Sequence, residues 1–316
     1  MVHGRRAQRI SRLLTEKGFA PIPPVSDKKL SVVIPAYNEG PAIAEVLEKL
    51  KAALESSGWS HELIVVDDCS SDNTATAAES AGAMVIRHPK NMGYGGALRT
   101  GILASTSEWI VTIDADCSYP PVELLKLLPS LPQFDMVVGA RQGRHYWGNF
   151  VKQPARLLFL AMAQFVVGEK IPDVNSGLRI FRKSIACTML PRLCRGFSFS
   201  TTLTLSFLSS HRFVRFTPVD YAPRVGSSKV RIFRDSLRTL QLLLETIIYY
   251  NPIKASLLLG AFPFLLALLG YVVAAITRNA HWFYFSSAMI CVFLLLLSQG
   301  FILFMLAHTA DDHRKE

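Results

Sequence analysis

The sequence predicts an α/β protein in which a doubly wound, mainly parallel sheet is followed by a transmembrane hairpin of two helices. Short apolar stretches alternate with stretches of helical periodicity, polar residues follow the apolar stretches, and a long C-terminal segment is almost free of charge. Half of the 316 residues are hydrophobic and the formal net charge is +10. This composition excludes a disordered chain and argues against a purely soluble protein.

Five apolar segments predict the strands of the sheet, at residues 30–34, 62–66, 83–87, 109–113 and 136–139. The segments between them predict helices at residues 42–54, 74–80, 95–105 and 121–128. Parallel strands need a crossover connection, usually a helix, so this alternation indicates a mainly parallel sheet.

Polar residues stand directly after three of the predicted strands. They are residues 35–39 (Pro-Ala-Tyr-Asn-Glu), residues 67–68 (Asp-Asp) and residues 114–116 (Asp-Ala-Asp). Since doubly wound sheets bind ligands beyond the carboxyl ends of their strands, these positions predict a binding site there. The sequence contains no Walker A motif, and the glycines at 93–96 lack the third glycine of a dinucleotide fingerprint.

Asp114 and Asp116 form the strongest candidate metal site. Two carboxylates this close repel each other unless a cation lies between them. Oxygen ligands suit Mg²⁺ or Mn²⁺, which keep phosphate and water in their coordination shell, so a diphosphate is the expected third partner. The alternative is a helix cap, because Asp116 shortly precedes Pro120 and Pro121.

Two uncharged segments predict a transmembrane hairpin at residues 253–310. Residues 255–277 and 282–307 carry no charge, and each is longer than the roughly 20 residues that cross the hydrocarbon core as a helix. Two spans put both ends of the chain on the same side. The large basic part has no apolar export signal, so we expect that side, including the tail at 311–316, to be cytoplasmic.

Three further segments are expected to meet the membrane. Residues 231–250 place arginines at helical spacing opposite an apolar face, which predicts an amphipathic juxtamembrane helix, although packing on the globular domain is an alternative. A second apolar helix at residues 150–168 is expected to lie in the interface as well. The basic arm, residues 1–29, is expected to contact anionic lipid, with a solvated tail as the alternative.

The motifs together resemble the inverting family 2 glycosyltransferases with the GT-A fold, a Rossmann-like, mainly parallel architecture. Within that family they are similar to the polyprenyl-phosphate glycosyltransferases, which include dolichol-phosphate mannose synthases and bactoprenol glucosyltransferases. The resemblance covers residues 30–250, with the catalytic domain at 30–230. The motifs that carry it are Val33-Ile-Pro-Ala-Tyr-Asn-Glu39, Val65-Val-Asp-Asp68, Ser70-Ser-Asp72, Asn91-Met-Gly-Tyr-Gly-Gly96, Asp114-Ala-Asp116, Pro120-Pro121 and Ser176-Gly177.

The resemblance implies a role for each candidate residue. The strand-end residues would bind the nucleotide and a metal ion, and a group of basic and hydroxyl residues would bind phosphate. Glycine and two serines between two cations make residues 224–229 a donor-rich turn suited to that task. The implied sets are Pro35, Tyr37, Glu39, Asp68 and Asp114 for the nucleotide; Asp114, Asp116 and Ser118 for Mg²⁺ or Mn²⁺; Arg141, Arg224, Ser227, Ser228 and Lys229 for the acceptor phosphate; and Asp173, Asp116 and Arg141 for catalysis.

Two positions depart from the family pattern. Ser118, a poorer ligand, stands where close members often have glutamine. Ser200, Thr201 and Thr202 stand where many members have an acidic residue, which argues against a glutamate-type base. A phosphomonoester acceptor is largely dianionic at pH 7 and does not need a base, whereas a sugar hydroxyl does.

The predicted function is inverting transfer of one sugar from a UDP- or GDP-hexose to polyprenyl phosphate at the cytoplasmic face of a bacterial or archaeal plasma membrane. Its expected partners are the nucleotide sugar, the lipid acceptor, the membrane, a second copy of the chain and a flippase. Nucleic acid is not expected, because the positive charge clusters beside the membrane segments. The alternatives are a glycolipid synthase with a hydroxyl acceptor and a catalytically inactive membrane-anchored adaptor.

Overall fold

The computed structural model describes residues 28–143, 153–193, 196, 198–223, 241, 248 and 251–312. The chain divides into two compact units. The first comprises Met1–Leu160 and Lys170–Val230, and the second comprises Ala161–Glu169 and Arg231–Glu316.

A seven-stranded sheet in the order β3-β2-β1-β4-β6-β5-β7 forms the first unit. Strand β1 pairs in parallel with β2 and β4, β2 with β3, and β5 with β7, whereas β6 runs antiparallel to both of its neighbours. The mainly parallel α/β architecture predicted from the sequence is confirmed. The strands are β1 (Lys29–Ala36), β2 (Ser60–Asp67), β3 (Met84–Arg87), β4 (Trp109–Thr112), β5 (Met136–Gln142), β6 (Arg179–Arg182) and β7 (Val214–Asp220).

Three of the four helices predicted between the strands, at residues 42–54, 74–80 and 95–105, are present. Pro41 lies in the first turn of α1, where its missing N–H is not needed, and Gly58 ends that helix with a φ of 70°. The helices of the described residues, apart from short 3₁₀ turns, are α1 (Gly40–Ser57), α2 (Thr74–Ser80), α3 (Tyr94–Ala104), α4 (Gln153–Val167), α5 (Lys183–Met189), α6 (Phe199–Ser209), α7 (Pro252–Thr277) and α8 (Ala280–Asp312).

The structure differs from the prediction between residues 121 and 130. The α-helix expected at 121–128 is instead a pair of short 3₁₀ turns, Pro121–Lys126 and Leu128–Ser130. Proline donates no backbone hydrogen bond and its ring crowds the preceding turn. Pro121 and Pro129 therefore allow a turn to begin twice and prevent one continuous helix.

Both faces of the sheet are buried, which explains the continuous apolar character of its central strands. Val32 and Val33 are adjacent in β1 and belong to separate apolar clusters on opposite faces. The Val32 cluster includes α1 and the 3₁₀ turns, and the Val33 cluster includes α3, α5 and α6. With both faces covered, the carboxyl edge is where polar side chains are collected.

The second unit contains a hairpin of two long helices, as predicted. Pro252–Thr277 and Ala280–Leu306 are long and apolar enough to cross a membrane. The side chain of Asn251 accepts a hydrogen bond from the backbone N–H of Lys254 at 3.1 Å and caps α7, with Pro252 in the first turn. A β-carbon at residue 260 would lie 2.7 Å from the Phe293 ring, so glycine permits close helix packing.

The end of α4 packs on the start of the hairpin within the second unit. The Nζ of Lys254 donates to the carbonyl of Phe165 at 3.3 Å and lies 5.7 Å from the centre of its ring. The helix predicted at 150–168 is thus present at Gln153–Val167. Its interfacial location stays a prediction. Residues 1–27 of the basic arm and most of 231–250 lie outside the described residues.

Candidate functional site

Seven chain segments meet at the carboxyl edge of the sheet. Six of them follow β1, β2, β3, β4, β5 and β7, whose directions agree. The seventh precedes β6, because antiparallel β6 begins where β4 ends, with Arg179 opposite Thr112. Residues 173–177 consequently lie at the same edge as residues 114–118.

The Asp114 carboxylate is held by groups from two of these segments. The hydroxyl of Tyr94 donates to its Oδ1 at 2.9 Å. Gly177 lies against the other side, and a β-carbon at 177 would be 2.6 Å from Cγ and 2.7 Å from Oδ1. No other amino acid fits at this position without displacing the carboxylate. The close approach of the Asp114 carboxylate therefore explains why glycine follows serine at position 177.

Asp116 is fixed by the turn that follows it. Its Oδ1 accepts hydrogen bonds from the backbone N–H of Ser118 at 3.0 Å and from the Ser118 hydroxyl. The turn passes through Cys117, whose φ of 58° is left-handed. The backbone N–H of Ala222, just after β7, donates to the Ser118 carbonyl at 2.9 Å. Ser118 therefore supports Asp116 and is itself fully buried.

Asp173 and Arg141 form a two-pronged ion pair. The Nε and Nη2 of Arg141 donate to Asp173 Oδ2 and Oδ1 at 2.7 and 2.9 Å, and the Arg141 backbone N–H donates to Oδ2 at 3.2 Å. The Tyr221 ring lies 5.4 Å from the guanidinium carbon. Asp173 is only 2% exposed, so it anchors Arg141 at this edge.

Arg179 brings a buried positive charge beneath the edge. It is 1% exposed and donates to the carbonyl of Ser200 at 2.7 Å, to the hydroxyl of Thr204 at 3.0 Å and to the carbonyl of Ser176. Burial lowers the pKa of Arg179, and the nearby tyrosines, Asp173 and Asp114 oppose that change. The guanidinium ties the 173–177 segment to α6.

Tyr119 supports the same segment from the opposite side. Its hydroxyl accepts a hydrogen bond from the Gly177 backbone N–H at 2.8 Å and lies 3.2 Å from the Ser176 hydroxyl. Burial raises the pKa of Tyr119 well above its usual range, so the phenol stays neutral. The Tyr119 ring packs edge-on against Tyr221 at 5.2 Å.

Asp68 organises the loop that leads into α3. Its Oδ1 and Oδ2 accept hydrogen bonds from the backbone N–H groups of Met92 and Gly93 at 2.7 and 2.8 Å. His88 Nδ1 also lies 2.8 Å from Oδ1, and His88 Nε2 lies 2.9 Å from the Thr100 hydroxyl. The structure therefore shows Asp68 fixing the Asn-Met-Gly loop.

The loops after β1 and β2 are joined by hydrogen bonds. The Ser71 backbone N–H donates to Asn38 Oδ1 at 2.8 Å, and the Glu39 backbone N–H donates to the Thr74 hydroxyl at 2.8 Å. Tyr37 is 38% exposed, whereas Pro35 is buried within β1. Tyr37 and Glu39 thus stand on a rigid support at the edge of the sheet.

The hydroxyl cluster that replaces an acidic residue lies at the start of α6. The Thr201 hydroxyl donates to Asn175 Oδ1 at 3.3 Å, and the Thr202 hydroxyl donates to carbonyls of its own helix. The start of α6 therefore contacts the 173–177 loop through Thr201. Four predicted phosphate ligands lie outside the described residues, because the described segment before them ends at Pro223. They are Arg224, Ser227, Ser228 and Lys229.

The carboxylates fit a divalent ion that keeps other ligands. Among the described residues, no group of three or more His, Cys, Asp or Glu side chains is placed to hold a metal by itself. Asp114 and Asp116 offer oxygen ligands at one strand end, the type that Mg²⁺ and Mn²⁺ share with phosphate and water. Sequence reasoning did not identify Tyr94, Tyr119, Arg179 and His88 as parts of the site. The charged residue directly after Ser-Gly-Leu was a signal for Arg179.

The fold and the strand-end carboxylates define a glycosyltransferase of GT-A-like architecture. The chain belongs to glycosyl transferase family 2, whose family model matches residues 31–189. An undecaprenyl-phosphate 4-deoxy-4-formamido-L-arabinose transferase of Klebsiella pneumoniae is 34% identical over 257 residues, which span 79% of this chain and 75% of the relative. The predicted family and enzyme class are confirmed.

Solved structures of similar fold include glucosyl-3-phosphoglycerate synthase from Mycobacterium tuberculosis. Its complex with Mn²⁺, UDP and glucosyl-3-phosphoglycerate is 21% identical, covers 71% of this chain and 81% of that one, and has a TM-score of 0.58. Its complex with Mg²⁺ and UDP is 22% identical, covers 71% and 80%, and also has a TM-score of 0.58. At this identity the likeness establishes the fold, and the two complexes show that the mycobacterial synthase binds UDP with either metal.

Proposed function

We propose that the protein transfers a single sugar from a nucleotide diphosphate sugar to a polyprenyl phosphate, with inversion at the anomeric carbon. The observation that carries the proposal is an acceptor side that holds the Arg141–Asp173 pair and hydroxyl residues in place of an acid. A phosphate oxygen is already a nucleophile at neutral pH and needs a cation to orient it. The relative named for undecaprenyl phosphate supports the same acceptor.

The donor diphosphate binds between the strand-end carboxylates and the nucleotide loops. Asp114 and Asp116 hold Mg²⁺ or Mn²⁺, and Ser118 orients Asp116 through its backbone and hydroxyl groups. When bound, the divalent ion supplies neutralisation of the leaving nucleoside diphosphate. The nucleotide is UDP or GDP, and the UDP complexes of the similar fold favour UDP.

The nucleoside lies against the loops after β1 and β2. Tyr37 offers an exposed aromatic face, and Glu39 lies beside it on the same braced loop. Pro35 shapes the floor from within β1. Asp68 acts on the base or ribose chiefly through the Met92–Gly93 backbone that it holds. This indirect role explains why the Asp68 carboxylate is buried although it belongs to a nucleotide-binding loop.

Arg141 positions the acceptor phosphate for attack, and Asp173 fixes the guanidinium so that one face is directed to the acceptor. Arg224, Ser227, Ser228 and Lys229 supply additional donors. They follow Ala222, which is bonded to the Ser118 carbonyl. In the sequence, the cations Arg224 and Lys229 thus come shortly after a residue that is hydrogen-bonded to the metal-binding turn.

Helices α7 and α8 anchor the enzyme in the membrane, with the catalytic unit on the cytoplasmic side of a bacterial or archaeal plasma membrane. Residues 150–168 and 231–250 lie in the interface, and the basic arm contacts anionic lipid. Two spans bury little surface on each other, so a second copy is an expected partner. The sugar-linked lipid is formed on the cytoplasmic side, so its export to the other side of the membrane requires a flippase.

The test is a transfer assay with the full chain in vesicles, undecaprenyl or dolichyl phosphate, and labelled UDP- and GDP-sugars. We expect one donor to give an acid-labile lipid product that needs Mg²⁺ or Mn²⁺ and disappears with EDTA. Asp116→Ala should lower transfer at least a hundredfold because the diphosphate loses its counter-charge. Ser56→Ala, on an exposed turn of α1, serves as the matched control.

Two outcomes contradict the proposal and identify its rivals. Transfer to a lipid hydroxyl but not to the phosphate indicates a glycolipid synthase. Failure of every nucleotide sugar to bind indicates a membrane-anchored adaptor. Full activity of Asp116→Ala removes the metal assignment.

A further inference from the structure

The Asp114 carboxylate is oriented by a residue that the reaction itself does not use. Tyr94 Oη lies 2.9 Å from Asp114 Oδ1, and Gly177 closes the other side of the carboxylate. Tyr94 and Gly177 come from distant parts of the sequence, one at the start of α3 and the other just before β6. The carboxylate is therefore held in one orientation before any ligand binds.

The Tyr94 hydroxyl is the donor in this hydrogen bond. A carboxylate oxygen can only accept, so the phenol O–H is directed at Asp114 Oδ1. A hydrogen bond to a charged acceptor is stronger than one between neutral groups.

The position of Tyr94 is set by the nucleotide side of the site. Asp68 holds the backbone N–H groups of Met92 and Gly93, and His88 contacts the same carboxylate. Gly93 has a φ of 81° and is the N-cap of α3, so Tyr94, the first residue of the helix, follows directly from a fixed turn. The residue that holds Asp114 is thus an extension of the loop that Asp68 organises.

We propose that Tyr94 is a positioning residue, which fixes Asp114 in the orientation that accepts the divalent ion and links the nucleotide loop to the metal-binding turn. The proposal rests on the proposed function in one respect, since it takes Asp114 as a metal ligand. A carboxylate free to rotate samples several orientations, and locking it in advance strengthens metal binding.

The test compares wild type with Tyr94→Phe, as the full chain in detergent, by Mn²⁺ titration followed by electron paramagnetic resonance in the presence of UDP. We expect the Kd for Mn²⁺ to rise about tenfold, the lower end of the effect of removing a hydrogen-bond partner from a metal ligand. The KM for Mn²⁺ should rise in parallel, with a smaller change of kcat at saturating metal. The ring stays in place, so the melting temperature should change little.

Ser105→Ala is the matched control. The Ser105 hydroxyl is buried at the C-terminal end of α3 and donates to the Ile102 carbonyl at 2.6 Å, so this variant removes a buried hydroxyl beside the same helix without altering a residue that holds Asp114. We expect this variant to bind Mn²⁺ as wild type does. An equal loss in both variants means that Tyr94 acts only through packing, and the proposal is then wrong.

The two levels of failure are distinguishable. If wild type binds Mn²⁺ with UDP and Tyr94→Phe binds it equally well, the role of Tyr94 is overturned and the proposed function stands. If wild type itself binds no Mn²⁺ with either UDP or GDP, the metal assignment fails and this proposal fails with it. Neither readout depends on the identity of the acceptor.

Discussion

Arg179 shows how one side chain secures the floor of the site. Its guanidinium is buried and serves carbonyls of Ser176 and Ser200 and the hydroxyl of Thr204. Arg179→Met leaves these acceptors without a donor, so we expect a loss of about 3–5 kcal/mol in the free energy of unfolding. Thermal melting in detergent should record a fall of roughly ten degrees.

Arg179→Lys separates the charge from the geometry of the guanidinium. It keeps the positive charge but loses the fork that reaches two chain segments, so it should melt between wild type and Arg179→Met. A methionine variant as stable as wild type would show that the three hydrogen bonds contribute nothing net.

At the residue scale, the sequence indicates the candidate ligands but not their supports. Asp114 and Asp116 stand out because two carboxylates directly follow an apolar strand. Tyr94 resembles any aromatic at the start of a helix, and its partner lies twenty positions away. Contacts between distant segments depend on how the sheet is assembled, which local pattern does not encode.

Glu62 joins β2 to β1 and to the segment before β4, at the end of the sheet where these parallel strands begin. Its carboxylate accepts from the Thr106 backbone N–H and hydroxyl at 2.7 and 2.8 Å and from the Ser31 hydroxyl. Burial acts to raise the pKa of Glu62, but the hydrogen bonds from Ser31 and Thr106 outweigh it and lower the pKa below its usual value.

Glu62→Gln should therefore destabilise the protein in a pH-dependent way. A lowered folded-state pKa contributes stability above the unfolded pKa, near 4.5, and that contribution disappears as pH falls through the folded pKa. We expect a loss of roughly 1–2 kcal/mol at pH 7, which becomes smaller as the pH falls below the unfolded pKa. Melting of both proteins across this range is the measurement, and a constant difference would contradict it.

The elements that the sequence does not predict are the short or alternating ones. Strand β6 has four residues with arginine at each end, and β7 carries charges and Pro218 among its apolar positions. Strands β1, β2 and β4 are predicted within a few residues because they are buried on both faces and read as continuous apolar runs. The reversal of β6 has no local signal, since direction follows from the connection and the pairing.

The molecule as a whole should be stabilised by its donor ligands. A ligand that binds only the folded state raises stability by about 2.7 kcal/mol at a hundred times its Kd. Mn²⁺ with UDP should therefore raise the melting temperature of the full chain in detergent by roughly 5–10 °C. EDTA should remove most of this increase.

Comparison of nucleotides gives this measurement its control. GDP under the same conditions should stabilise the chain less than UDP, and Asp116→Ala should respond weakly to either. An equal shift with GDP would contradict the preference for UDP, and a full shift in Asp116→Ala would contradict the metal assignment.

The place of β6 in the sheet makes it the connection between the two halves of the sheet. Strand β5 precedes β6 along the chain, yet β6 lies between β4 and β5 in the sheet. Without Arg179–Arg182, β4 and β5 have no shared partner, and each presents an open edge. The half with Asp114 and Asp116 and the half with Arg141 are therefore held together through the four residues of β6.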